Sequence, residues 1–115
     1  MLAETPDPPY VAVIFSNLRT NGDHGYGAMA DRMEALAAQQ PGYLGIESAR
    51  EPDGLGITVS YWSTQDDARA WKMVAEHRLA QRRGREEWYR AYAVRVAVVQ
   101  RDYTGPAGGS GPTAD

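Results

Sequence analysis

Four tryptophan, histidine and asparagine positions in this 115-residue chain carry most of its chemical possibility. Trp62 and Trp71 stand nine positions apart, His77 follows, and Asn17 precedes them in an apolar run. Leu55, Ile57, Val59 and Tyr61 alternate with Gly56, Thr58, Ser60 and Trp62, which is the period of a strand. Ser63 or Thr64 then caps a helix, with Asp66 or Asp67 three positions on. Two indoles are brought to one strand–helix corner, the wall of a candidate pocket for a flat molecule. Thr58, Ser60 and Trp62 share a strand face. Small hydroxyls beside an indole suit a planar, oxygenated ligand, and a packed core is the competing reading. Trp71 shares a helical stripe with Ala68, Ala75 and Leu79, and the same two readings stand.

Three further side chains have a chemistry to offer. Asn17 shares a strand face with Val13 and Phe15, where a polar amide must find hydrogen bonds or line a wet pocket. It closes the strand end or contacts substrate or dioxygen. His77 is the acid–base candidate, since an imidazole titrates near neutral pH. Helical phase turns it away from the Trp71 stripe, so it reaches a pocket only if the helix bends or a second face is buried. Arg95 interrupts an apolar strand, where it demands Glu47 or an anionic ligand as partner. Tyr26 opens a helix and is placed to cover the pocket mouth.

Composition excludes several classes. A net charge of −3 gives nucleic-acid binding no electrostatic support. The absence of cysteine removes thiol catalysis, disulfides and cysteine metal sites. Two histidines are few for a metal cage. No apolar stretch approaches the ~20 residues of a membrane span, and the Pro-rich start lacks the features of a signal peptide. A cytoplasmic protein without membrane or nucleic-acid partners is expected.

The elements that position these residues follow from periodicity. Residues 1–9 form an extended arm, and 10–103 a single α+β domain. Residues 104–115, rich in Gly and Pro, form a flexible tail. Within the domain, strands are expected over 10–18, 43–50, 55–62 and 91–103. Helices are expected over about 25–40, with Asp23 as a plausible N-cap, and from 65 to about 84. Glu86–Tyr89 forms one more turn. Glu51-Pro-Asp-Gly54 is a hairpin turn. The order β-α-β-β-α-β is a ferredoxin-like split plan: a four-stranded antiparallel sheet with both helices on one face. The first and last strands are too apolar on both sides for a sheet with one wet face. A homodimer packed through the helix-free face is therefore expected.

The run SYW-(x)8-W within this plan resembles the antibiotic biosynthesis monooxygenase superfamily of dimeric α+β barrels. Arg19–Gly27, Gln40–Arg50, Gly56–Trp62, Ala70–His77 and Gly84–Tyr89 resemble one bacterial branch of it, and the likeness extends from Tyr10 to Tyr103. The resemblance implies a small monooxygenase that oxidises a polycyclic phenol or hydroquinone with dioxygen and no cofactor. Asn17, His77 or Arg95 would serve as donors, and Trp62 and Trp71 as stacking surfaces. Haem-degrading relatives supply an alternative, with an Asn on the first strand, a Trp on the second helix and an axial His about ten residues later. Asn17 and Trp71 match that pattern, but Gln81 stands at the ligand position and His77 is one turn early. A non-catalytic, ligand-binding barrel is the third reading.

Overall fold

A computed structural model describes residues 2–81 and 88–106. The end expected for the second helix near Gly84, the first half of the turn at 86–89, and residues 107–115 of the tail lie outside them. Four strands and two helices follow in the expected order: β1 (Tyr10–Arg19), α1 (Tyr26–Ala38), β2 (Tyr43–Arg50), β3 (Leu55–Trp62), α2 (Gln65–Gln81) and β4 (Tyr89–Val99). The strands form one antiparallel sheet in the order β2-β3-β1-β4. This is a ferredoxin-like α+β fold.

Local chemistry sets the helix starts. Thr64 Oγ1 accepts the backbone N–H of Asp67 at 3.1 Å, which caps α2, and Asp66 and Asp67 lie in its positive first turn. α1 begins differently from the expected cap. Gly25 stands at its N-cap with φ +83°, a conformation that favours glycine. The Asp23 carboxylate reaches past it to accept the N–H groups of Gly25 and Gly27 at 3.0 and 3.1 Å.

The register sorts the side chains. Val11, Val13, Phe15 and Asn17 of β1 pair with Trp62, Ser60, Thr58 and Gly56 of β3, and these residues point toward the helices. The core lies there, built from Val11, Val13, Ala37, Trp62, Ala68 and Trp71. A second cluster of Met29, Trp88 and Tyr89 continues it toward the other end of the sheet.

The opposite face has no helix. Leu55 and Ile57 are 41% and 44% exposed on it. The N-terminal arm reaches its edge, where the Ala3 N–H donates to Glu47 Oε2 at 3.0 Å. Glu47 also accepts the Tyr61 hydroxyl at 2.7 Å, and Tyr10 donates its own to Asp102. The Glu47 carboxyl is held below its usual range by the Tyr61 bond first and the Ala3 bond second. Burial, then Glu47, push the Tyr61 phenol up to about 12.

Two sequence expectations change here. Arg95 is exposed on the helix-free face opposite Ile14, so it is not the buried charge expected. Glu47, its proposed partner, is engaged by Tyr61 and Ala3 instead. The physical reason is position: Arg95 stands on an edge strand and faces the side of the sheet that carries no helix. Even Val96 and Val98, on the helix side of β4, remain about half exposed (49% and 46%).

Candidate active site

Between the sheet and the two helices lies a cavity of about 190 Å³. Val13, Phe15, Ile46, Ser48, Thr58, Ser60 and Val94 form its floor. Tyr26, Met29, Ala30 and Met33 line it from α1, and Trp71 and Ala75 from α2. Tyr89 and Tyr92 close one end, while Glu34, Lys72 and Glu76 mark the helical rim. Such a space fits a small, flat, largely apolar molecule with a few polar points of attachment.

Its lining explains those points. The Trp62 indole N–H donates to Ser60 Oγ at 2.9 Å. The Ser60 oxygen is thereby used as acceptor, and its own proton is free to donate into the cavity. Ser48 and Thr58 share one hydrogen bond at 2.8 Å, which leaves a second hydroxyl proton on the floor. Trp71 lies against Trp62 with ring centroids 5.7 Å apart and planes 22° from parallel. Trp71 therefore presents its ring to the cavity, and Trp62 supports it from behind.

An aromatic cluster builds the closed end. Phe15 meets Tyr89 edge-on at 5.2 Å, and Tyr89 meets Tyr26 edge-on at 5.7 Å. Burial first, and the Tyr26 hydroxyl second, push the Tyr89 phenol far above its ordinary range, so it stays neutral. The Arg19 guanidinium sits 3.8 Å from the centre of the Tyr26 ring, a cation–π contact. Arg50 donates from Nη2 to both the Tyr26 hydroxyl, at 2.9 Å, and Asn17 Oδ1, at 2.7 Å. Asn17 is 2% exposed, and its Nδ2 has no hydrogen-bond partner.

The residues singled out in the sequence divide accordingly. Thr58, Ser60, Trp71 and Tyr26 line the cavity together. Trp62 does not: it is fully buried behind Trp71. Asn17 is not part of the lining; it is linked to the lining residue Tyr26 through Arg50, which bonds both. His77 is exposed on α2 and outside the lining, as helical phase suggested. Arg95 is on the other side of the sheet. Sequence reasoning missed Arg50, Tyr89 and Tyr92. The signal for Arg50 was present in the hairpin: a turn at Asp53-Gly54 sets Arg50 opposite Gly56, on the face of Thr58.

The haem alternative calls on His77 or Gln81 as its ligand. His77 does not reach the cavity, and the Gln81 side chain lies outside the described residues. Among the described residues, no group of three or more His, Cys, Asp or Glu is arranged to hold a metal ion.

This arrangement defines a small α+β domain with an aromatic-lined cavity between sheet and helices. The chain belongs to the antibiotic biosynthesis monooxygenase family, whose sequence pattern it matches over residues 10–83. It is 56% identical over 100 residues to the Bacillus subtilis (strain 168) "Uncharacterized protein YqjZ", covering 87% of this chain and 88% of that one. Its fold is similar to that of SnoaB from Streptomyces nogalater, described as a cofactor-independent oxygenase. That likeness has a TM-score of 0.62 at 17% identity, over 87% of this chain and all of the other. Rv0793 from Mycobacterium tuberculosis is similar at a TM-score of 0.65 and 15% identity, over 83% and 99% of the two chains. Among the described residues, no helix is long and apolar enough to cross a membrane.

Proposed function

We propose that this protein is a cofactor-independent monooxygenase that oxidises a small polycyclic phenol or hydroquinone with dioxygen. The observation that carries the reading is the cavity itself: an apolar, aromatic slot with hydroxyl donors on its floor and a buried, unpartnered amide beside its closed end. Family membership supports the reaction class, and the description of SnoaB supports chemistry without a cofactor.

The chemistry balances with substrate and dioxygen alone. The phenol loses its proton, and the electron-rich anion passes one electron to dioxygen. The radicals combine at a ring carbon that still carries hydrogen, forming a hydroperoxide. Loss of water then leaves a quinone, so one oxygen atom enters the product and the other leaves as water. The protein's part is to hold the ring flat against Trp71, to exclude water from the anion, and to offer donors to its oxygen. Asn17 is the proposed donor at the closed end, with Ser60 on the floor. His77 has no role in this scheme.

The helix-free face, with Leu55 and Ile57 half exposed, supports a homodimer through that surface. Each protomer keeps its own cavity on the far side of its sheet.

Oxygen uptake without added cofactor, over a panel of naphthols and naphthohydroquinones, tests the reading. Uptake above the spontaneous rate should fall in Trp71→Phe and Asn17→Ala and stay unchanged in His77→Ala. Mass spectrometry with ¹⁸O₂ should find one labelled atom in the quinone. Saturable binding with no uptake across the panel would instead assign a ligand-binding barrel.

A further inference from the structure

Arg50 is an unusual residue to find beside a buried amide. It stands at the end of β2, yet its guanidinium reaches across β3 to the middle of the sheet. Gly56 makes that path possible: a Cβ there would overlap Cζ and both terminal nitrogens of the guanidinium. Arg50 then donates to the Gly54 carbonyl at 2.6 Å from Nη1, and to Asn17 Oδ1 and the Tyr26 hydroxyl from Nη2.

The bond to Asn17 fixes which way its amide faces. A guanidinium has only donors, so it must meet the oxygen, and the Nδ2 group is turned the other way. That nitrogen is buried without an acceptor. A buried unmade hydrogen bond costs about 1–3 kcal/mol, and folds seldom keep one that nothing uses.

The charge around it is also unbalanced. Arg19 spends its donors on the carbonyls of Thr20, Gly22, Asp23 and Trp88. Among the described residues, neither Arg19 nor Arg50 has a carboxylate partner. The other titratable groups facing this end are Tyr26, Tyr89 and Tyr92, and Tyr89 stays neutral. Arg19 and the exposed Arg50 thus place two positive charges beside the Tyr26 ring, at one end of the cavity.

We propose that Arg50, admitted by Gly56, is a positioning residue that holds Asn17 as the donor for an ionised oxygen, so that the site selects the phenolate over the neutral phenol. This rests on the phenol reading above and adds the form in which the substrate is bound. Asn17 lies outside the cavity lining with its Nδ2 buried, so the oxygen reaches that nitrogen as the Tyr26 ring swings aside, and is then stabilised by the arginine behind the amide. A charge-assisted bond of this kind corresponds to about a tenfold to hundredfold preference for the anion.

The test uses 4-nitrophenol, whose anion absorbs in the visible, and 4-nitroanisole as its neutral counterpart. Bound 4-nitrophenol should titrate at lower pH than the free compound. Its anion should bind at least tenfold more tightly than 4-nitroanisole. Arg50→Met and the isosteric Asn17→Asp should each abolish the titration shift and lower the affinity for the anion far more than that for 4-nitroanisole. Gly56→Ala, which displaces the guanidinium, should do the same. Arg50→Lys keeps a charge but not the double contact, and should recover only part of the shift. Equal titration of the bound probe in wild type and Arg50→Met would overturn the inference. Oxygen uptake separates the two proposals: uptake indifferent to Arg50→Met keeps the oxygenase and removes the positioning role. Anion preference lost in Arg50→Met, with no uptake by any phenol, supports the positioning role and removes the oxygenase.

Discussion

Ser60→Ala isolates the bond that ties the core to the cavity floor. Trp62 is fully buried, and its indole N–H has Ser60 Oγ as its acceptor at 2.9 Å. Removing the hydroxyl leaves a buried donor unmade, which costs about 1–3 kcal/mol. The missing oxygen itself adds little, because a serine hydroxyl is small. Ser60 also lines the cavity, so water there can replace the lost acceptor. That sets the expected cost at the lower end, about 1 kcal/mol. For a domain of this length the melting temperature should fall by roughly 3–6 °C.

Equilibrium urea unfolding followed by tryptophan fluorescence measures the cost directly. A second variant removes the donor as well: Ser60→Ala combined with Trp62→Phe. If the unmade bond is the cause, the double variant should lose less than the sum of the singles by about 1 kcal/mol. Additive losses, or a Ser60→Ala protein as stable as wild type, would refute the reasoning. The two tryptophans would then be held by packing alone, and Ser60 would be free in both directions toward the cavity.

Three other perturbations follow from the same geometry. Ala75→Phe should fill the cavity from α2 and abolish 4-nitroanisole binding, while the far-ultraviolet circular dichroism of the fold persists. Tyr61→Phe should cost about 1 kcal/mol at pH 7 by removing the bond to Glu47. A phenol raised to about 12 stabilises the fold below pH 10 and loses that contribution as pH rises toward 12; the depressed Glu47 stabilises above the ordinary carboxyl range and loses it in acid. The variant should therefore flatten both limbs of a urea-midpoint profile against pH. Gly42→Ala should destabilise by about 1–3 kcal/mol in thermal melts, since φ there is +80° and a Cβ would overlap the Asp67 carboxylate.

The fold was largely legible because its signals are local. Alternation over Leu55–Trp62 defines β3 without reference to anything else, Thr64 caps α2, and the Asp53-Gly54 turn joins two strands directly. Strand parity also placed Thr58 and Ser60 on the helix side. Parity says which face a residue takes, but not what stands over it. Trp62 has the same parity as Ser60, yet α2 covers one and leaves the other beside the cavity. The same gap explains Arg95: a strand apolar enough to look central is an edge strand, and its charge faces the side without helices.

Arg50 shows where sequence reading loses the site and how it can be recovered. At a strand end before a proline turn, an arginine reads as a solvated charge. Its reach depends on a residue that offers nothing, Gly56, and on an amide 33 positions earlier. Neither lies on any periodic pattern with Arg50, but both follow from register. The hairpin sets Arg50 opposite Gly56, and β1–β3 pairing sets Gly56 opposite Asn17. The three therefore form one row across the sheet, with the glycine in the middle as the gap. An arginine and an asparagine on either side of a glycine, in neighbouring strands, can meet only if the middle position has no side chain. That condition is readable once the strands are paired. It makes Gly56, the least reactive of the three, the position where a single methyl group should disconnect the charge from the amide.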